Sequence, residues 1–159
     1  NFLAQLTTAL EAHQNVRPNQ LDLEILETSG LDTMTHLRTL ICECKKLGVN
    51  FSLDDFGTGY SSLSHLKNLP TDSIKIDRCF VQDMLTNPDD LAIVQGIISL
   101  AEAFGRNVIA EGVESAAHAD KLLSMNCNIG QGYGIARPMP SAKLPSWLNS
   151  WQAAPTWQA

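Results

Sequence analysis

Seven acidic or amide side chains and one lysine fall at regular places along this chain: Glu24 and Glu27, Asp54 and Asp55, Lys75 and Asp77, Glu111, and Gln131. From Glu24 through Asp54, Lys75 and Glu111 to Gln131 the steps are 30, 21, 36 and 20 residues. Each step is the length of a single βα repeat, so the groups should meet at one rim of a sheet. In α/β folds the rim at the C-terminal ends of the strands is where sites are built. Carboxylates gathered around one lysine repel one another unless a further cation sits among them. Hard oxygen ligands suit Mg²⁺ or Mn²⁺, and the adjacent pair Asp54-Asp55 can share one ion while holding a second. Two ions about 3.5–4 Å apart clamp a phosphoryl group, activate a water and neutralise the leaving oxygen. Such ions would also let an acidic protein take a polyanion. Any one of these carboxylates alone reads as a helix cap or a surface charge; four acidic strand ends in five repeats read as a site.

The elements that must hold them follow from the hydrophobic period. Leu3, Leu6 and Leu10 mark a helix face, and Leu21, Leu23 and Ile25 alternate as a strand does. Met34 to Leu47 returns to steps of three and four, with Asp32 as candidate N-cap and Gly48 as stop. Val49 to Leu53 reads as a strand, then a glycine-containing loop leads to a short helix over 62–69. Ser73 to Ile76 is strand-like. Pro88 opens a long helix with Leu91, Val94, Ile97, Ile98, Ala101 and Phe104 facing inward. Val108 to Ala110 reads as a strand, Ser115 caps a helix with Leu122 and Leu123, and Ile129 to Tyr133 is a glycine-rich strand. Ser141 to Trp151 is a short helix on which Trp147, Leu148 and Trp151 share a side. Five βα units in series predict a mainly parallel sheet.

Composition closes off several classes. With 44% hydrophobic and 18% charged residues the chain has enough apolar material for a core and is not a disordered segment. A net charge of −6 argues against a DNA or RNA duplex partner and against a polybasic membrane patch. The longest apolar run, Leu91 to Phe104, is broken by Gln95 and Glu102 and falls short of the roughly 18–20 residues of a span. Cys42, Cys44, Cys79 and Cys127 form no CxxC pair, and the four histidines keep no ligand spacing, so the cysteines read as buried reduced thiols of a cytoplasmic domain. The start at Asn1 has neither an initiator Met nor the basic front of a signal peptide, so upstream sequence is expected. The loop Asp55-Phe56-Gly57-Thr58-Gly59-Tyr60 is neither a GxGxxG fingerprint nor a P-loop, and no HRD-type loop accompanies its Asp-Phe-Gly.

Taken together, Asp54 to Leu63, Ile74-Lys75-Ile76-Asp77-Arg78, Ala110-Glu111-Gly112-Val113-Glu114 and Gln131-Gly132-Tyr133 resemble successive motifs of EAL domains. Leu23-Glu24-Ile25-Leu26-Glu27 is similar to the family's Leu-Glu-Ile-Thr-Glu segment, with Leu26 at the usual Thr, and Arg137-Pro138-Met139-Pro140 to its closing segment. The resemblance implies a (β/α)8 TIM-barrel-like fold and hydrolysis of cyclic di-GMP to pGpG with Mg²⁺ or Mn²⁺. It implies Glu24, Asp54, Asp55 and Glu111 as metal ligands, Asp54 bridging both ions, and Lys75 orienting the attacking water. Gln131 would lie in the metal and water network, Asp77 and Glu114 would support the site or substrate, and Glu27 would hold the loop Phe56 to Tyr60. That loop, in the family, shapes the second metal site and a dimer contact.

A full barrel needs roughly 250 residues, so residues 1–151 are expected to be the C-terminal part of such a domain, with 152–159 a flexible tail. The Glu-Ala-Leu segment that names the family and an early-strand Asn ligand would lie upstream. Two readings therefore stand: a phosphodiesterase, and a regulatory module that binds cyclic di-GMP or a partner without cleaving anything. Five strands of a barrel also leave two unpaired edges, which predicts a homodimer or larger assembly for the isolated chain.

Overall fold

The computed structural model describes residues 1–26, 34–58 and 62–151. Helix α1 (Phe2–Ala12) precedes strand β1 (Asp22–Leu26), followed by α2 (Met34–Lys46), β2 (Asn50–Phe56), α3 (Ser62–Asn68) and β3 (Ser73–Ile76). Then come α4 (Arg78–Asp83), α5 (Pro88–Ala103), β4 (Asn107–Glu111), α6 (Ala116–Leu123), β5 (Ile129–Gln131) and α7 (Leu144–Ser150). The five strands are all parallel and lie in sequence order, β1-β2-β3-β4-β5. That order has a mechanical consequence. Right-handed crossovers that all step the same way put the helices between the strands on one face of the sheet, which is the winding of a barrel. The sheet is not closed, and among the described residues β1 and β5 are each paired on one side only.

The alternation along the strands separates the two faces. Ile25, Phe51, Leu53, Ile74, Ile76 and Ala110 point to the helices and are all buried. They pack with Ile41 and Cys44 of α2, Leu66 of α3, Val81 of α4, Val94, Ile97 and Ala101 of α5 and Leu122 of α6. The opposite face carries Glu24, Ser52, Asp54, Lys75, Ile109, Glu111, Ile129 and Gln131, joined by the pairs Glu24–Ser52, Lys75–Ile109, Ile109–Ile129 and Glu111–Gln131.

The structure departs from the sequence reading at several elements. Phe104 is 42% exposed, because the helix ends at Ala103 and residue 104 is its cap, so its ring turns outward. Helix α4 was not expected; Asp77 caps it by accepting from the Cys79 amide at 2.7 Å. β5 stops at Gln131, since from Gly132 the chain wraps around Val113 instead of continuing straight: Val113 donates to the Gln131 carbonyl and Gly134 to the Val113 carbonyl. Only Cys44 and Cys127 are buried; Cys42 and Cys79 sit on exposed helix positions, and all four are free thiols. The proposed cap Asp32 and the tail 152–159 lie outside the described residues.

Candidate metal centre

The polar face ends in a cluster built on Lys75. Its ammonium lies 2.6 Å from Glu24 Oε1, 2.8 Å from Asp54 Oδ1 and 2.7 Å from Glu111 Oε1. Glu24 comes from β1, Asp54 from β2, Lys75 from β3 and Glu111 from β4. Four neighbouring strands thus deliver one side chain each to a single point. Lys75 is buried at 5% exposure, and Glu24, at the free edge, is the open side. Burial works against the lysine charge, but Asp54, Glu111 and Glu24 outweigh it and hold the ammonium well above the ordinary lysine range.

Asp55 reaches the same place by a break in the ladder. Leu53 pairs with Ile74 and Phe56 with Ile76, so Asp54 and Asp55 together span the length that Lys75 spans alone. In a regular strand neighbours point to opposite faces. The bulge removes that constraint, and Asp55 takes φ +52°, a conformation aspartate tolerates better than most residues. Asp54, Asp55 and Glu111 can consequently each offer an oxygen within 4.8 Å of the others.

The charges do not balance. Glu24, Asp54, Asp55 and Glu111 face one ammonium. Asp55 feels the excess: burial first, then the Asp54 charge, then its hydrogen bond with Asp77 push its carboxyl above the usual range. Asp77 moves the other way; burial would raise it, but hydrogen bonds from Cys79 and Asp55 hold it low. Asp54 Oδ1 is a buried oxygen that meets the Lys75 ammonium as an ion pair at 2.8 Å and, among the described residues, has no hydrogen-bond partner besides. An oxygen donor set with surplus negative charge and a buried carboxylate oxygen fits a hard divalent cation. Gln131 donates to Glu111 Oε1 and so fixes one of these carboxylates.

Beyond Glu111 and Gln131 the rim opens into a recess of about 430 Å³, lined also by Arg78, Gln82, Glu114, Tyr133 and Arg137. The Arg137 guanidinium stands 4.7 Å from the Tyr133 ring centroid. Two glycines make the walls possible. Gly112 has φ +75°, and a Cβ there would lie 2.8 Å from Arg78 Cβ; a Cβ on Gly132 would strike the Val113 backbone.

The structure therefore brings Glu24, Asp54, Asp55, Lys75, Asp77, Glu111 and Gln131 together. Glu114 stands apart on the recess wall, accepting from Gln82 at 2.6 Å. Phe56 is not a loop residue: it ends β2 and is buried at 2% exposure against the helices, because the bulge returns it to the apolar face. Gly57 and Thr58 follow as an exposed turn in which the Thr58 hydroxyl donates to the Asp55 carbonyl at 2.9 Å. Glu27, Gly59 and Tyr60 lie outside the described residues. The sequence reading assigned no role to Arg78, Gln82 or Arg137. Arg78, directly after Asp77, carries a usable signal: a cation two residues past a strand end.

Comparison with known proteins follows the same lines. The family model described as "EAL domain" matches residues 1–138. The crystal structure of the EAL domain of Mycobacterium smegmatis DcpA superposes with a TM-score of 0.88 at 37% identity, over 96% of this chain and 68% of that one. The manganese and cyclic di-GMP complex of Klebsiella pneumoniae BlrP1 gives 0.77 at 32% identity, over 86% and 34%. The cyclic di-GMP phosphodiesterase NbdA of Pseudomonas aeruginosa is 39% identical over 137 residues, which are 85% of this chain and 18% of that protein. This chain thus spans about a fifth of the curated relatives it matches.

Proposed function

This chain belongs to the EAL-domain family, and we propose that it supplies most of a metal-dependent phosphodiesterase site that hydrolyses cyclic di-GMP to pGpG. The observation that carries the reading is the Lys75 cluster: three carboxylates on one ammonium with a fourth, Asp55, beside them, and a buried Asp54 oxygen whose contact there is an ion pair. Asp54, Asp55, Glu111 and Glu24 would hold Mg²⁺ or Mn²⁺. Bound there, the ions supply compensation for phosphate charge and a water acidified enough to attack. In the net step, water's hydroxyl is added to phosphorus, the P–O3′ bond breaks, and a proton reaches the departing 3′-oxygen.

The chain's own residues set the stage for that step. Lys75, held as an ammonium by three carboxylates, has no lone pair with which to accept a proton, so its part is to donate hydrogen bonds and orient water. Gln131 keeps Glu111 aimed at the rim. Asp77 caps α4 and steadies Asp55. The recess beside Glu111, with Tyr133 under the Arg137 guanidinium, offers a flat surface and positive charge to a nucleotide.

A second reading rests on the open side of the cluster. Glu24 is 53% exposed on β1, which among the described residues pairs on one side only, as suits a module that binds the dinucleotide without cleaving it. A homodimer of this chain goes with either reading, because among the described residues β1 and β5 each pair on one side only and such edges invite pairing; a monodisperse monomer in light scattering would count against it. The deciding experiment is chromatography of pGpG formed from cyclic di-GMP with Mn²⁺. Turnover that vanishes in Asp54→Asn supports the enzyme. Saturable binding without turnover supports the regulatory module.

A further inference from the structure

We propose that His118 is a positioning residue for the recess beside the metal rim, acting through Gln82 and Glu114. The proposal takes its ligand from the phosphodiesterase reading above. His118 is 8% exposed on α6, and its ring bridges two separate stretches of chain. Nε2 lies 3.1 Å from the Gln82 carbonyl in α4, and Nδ1 lies 2.7 Å from Oγ of Ser115, the N-cap of its own helix. A carbonyl only accepts, so in the neutral ring Nε2 carries the proton and donates, while Nδ1 accepts from the Ser115 hydroxyl. The Gln82 side-chain amide in turn donates to Glu114 Oε1 at 2.6 Å, and Glu114 directly precedes Ser115.

Residues 82, 114, 115 and 118 therefore close a ring of contacts between α4 and the turn that leaves β4. That turn starts at Glu111, passes Gly112 where Arg78 crowds the backbone, and ends at the capped helix. Gln82 and Glu114 are both wall residues of the recess. A histidine that only satisfied itself in the core would need one acceptor nearby. This one joins the two elements that carry the wall, and the outer end of the ring is the wall itself. With one oxygen held by Gln82, the Glu114 carboxylate keeps a fixed rotation, so its second oxygen meets a ligand without first being ordered.

The test measures cyclic di-GMP affinity with Ca²⁺ present, alongside amide hydrogen exchange at residues 111–115. His118→Ala and Gln82→Ala should each weaken binding about tenfold, the loss of one charge-assisted contact, and speed exchange in the turn. His118→Gln, whose amide can donate to the Gln82 carbonyl, should recover affinity to within about threefold. Glu114→Ala should weaken binding too, and adding His118→Ala to it should cost nothing more, because both act through one carboxylate. Gln82→Ala alters only an exposed side chain and so keeps the test open if His118→Ala fails to fold. Affinity and exchange unchanged in Gln82→Ala, or losses that add in full to those of Glu114→Ala, would overturn the proposal. Failure of the unsubstituted chain to bind cyclic di-GMP would count instead against the functional reading, and the exchange rates would still decide the role of His118.

Discussion

The two ends of the sheet use the same ingredients to opposite effect. Near the N-terminal ends of the strands, Lys45 of α2 pairs with Asp72 and also donates to the Pro70 carbonyl at 3.2 Å. Asp72 accepts from the Phe51 amide at 2.9 Å, and its own backbone bonds to Phe51 and Asn107. Arg106 donates to the carbonyls of Thr71 and Leu69. One ammonium meets one carboxylate there, and the remaining partners are backbone groups of the loop that enters β3. At the C-terminal ends, one ammonium meets three carboxylates, with a fourth beside them. Compensated charge ties elements together; surplus charge leaves room for a further cation. Conservative chemistry at one end and excess at the other is the division of labour that barrels show between their stability face and their active face.

The comparison can be broken most sharply at Asp54. Asp54→Asn is expected to cut cyclic di-GMP hydrolysis by about a thousandfold while leaving thermal stability near that of the parent. Lys45→Met should leave turnover unchanged, and equal losses in the two variants would erase the distinction between the ends. Next in size is Lys75→Met, which leaves the half-buried carboxylates of Asp54 and Glu111 and the exposed Glu24 without their cation. Without metal it should lose about 1–3 kcal/mol in denaturant unfolding. Saturating Mn²⁺ should return much of that, as binding to the folded state adds stability. Asp72→Ala at the opposite end should lose about 1–2 kcal/mol, since the pair is partly exposed, and Mn²⁺ should return none of it.

The smallest effect concerns Cys79, one turn from the rim. Partial burial, then the hydrogen bond and charge of Asp77, push its thiol up to about 11. The thiolate is the reactive form, so raising the pKa lowers its fraction at pH 8. Alkylation of Cys79 should therefore be slow at pH 8, climb as pH approaches 11, and be faster at pH 8 in Asp77→Asn. Mass spectrometry of the labelled peptide reads this directly; rapid labelling at pH 8 in the parent would contradict it.

Much of this arrangement was legible in the sequence, for a physical reason. Parallel strands of a singly wound sheet recur at one βα length, so the spacing of Glu24, Asp54, Lys75, Glu111 and Gln131 already implied a common rim. Apolar alternation located the strands because one face is packed against helices throughout. What escaped was conformation set by context. The bulge that turns Asp55 to the rim depends on pairing with β3, which Asp54-Asp55 does not disclose. Helix α4 has one buried residue, Val81, so its six residues carry too little period to be seen. Free cysteines usually favour the core, yet Cys42 and Cys79 each fall on an exposed position of their helices. The ring through His118 joins residues 36 apart and has no local signature.

Titration of the chain with Mn²⁺, followed by calorimetry, tests the central claim most directly. A charge-surplus rim predicts saturable binding that is lost in Asp54→Asn and kept in Asp72→Ala. Binding that is absent from the parent chain, or indifferent to Asp54, would contradict it.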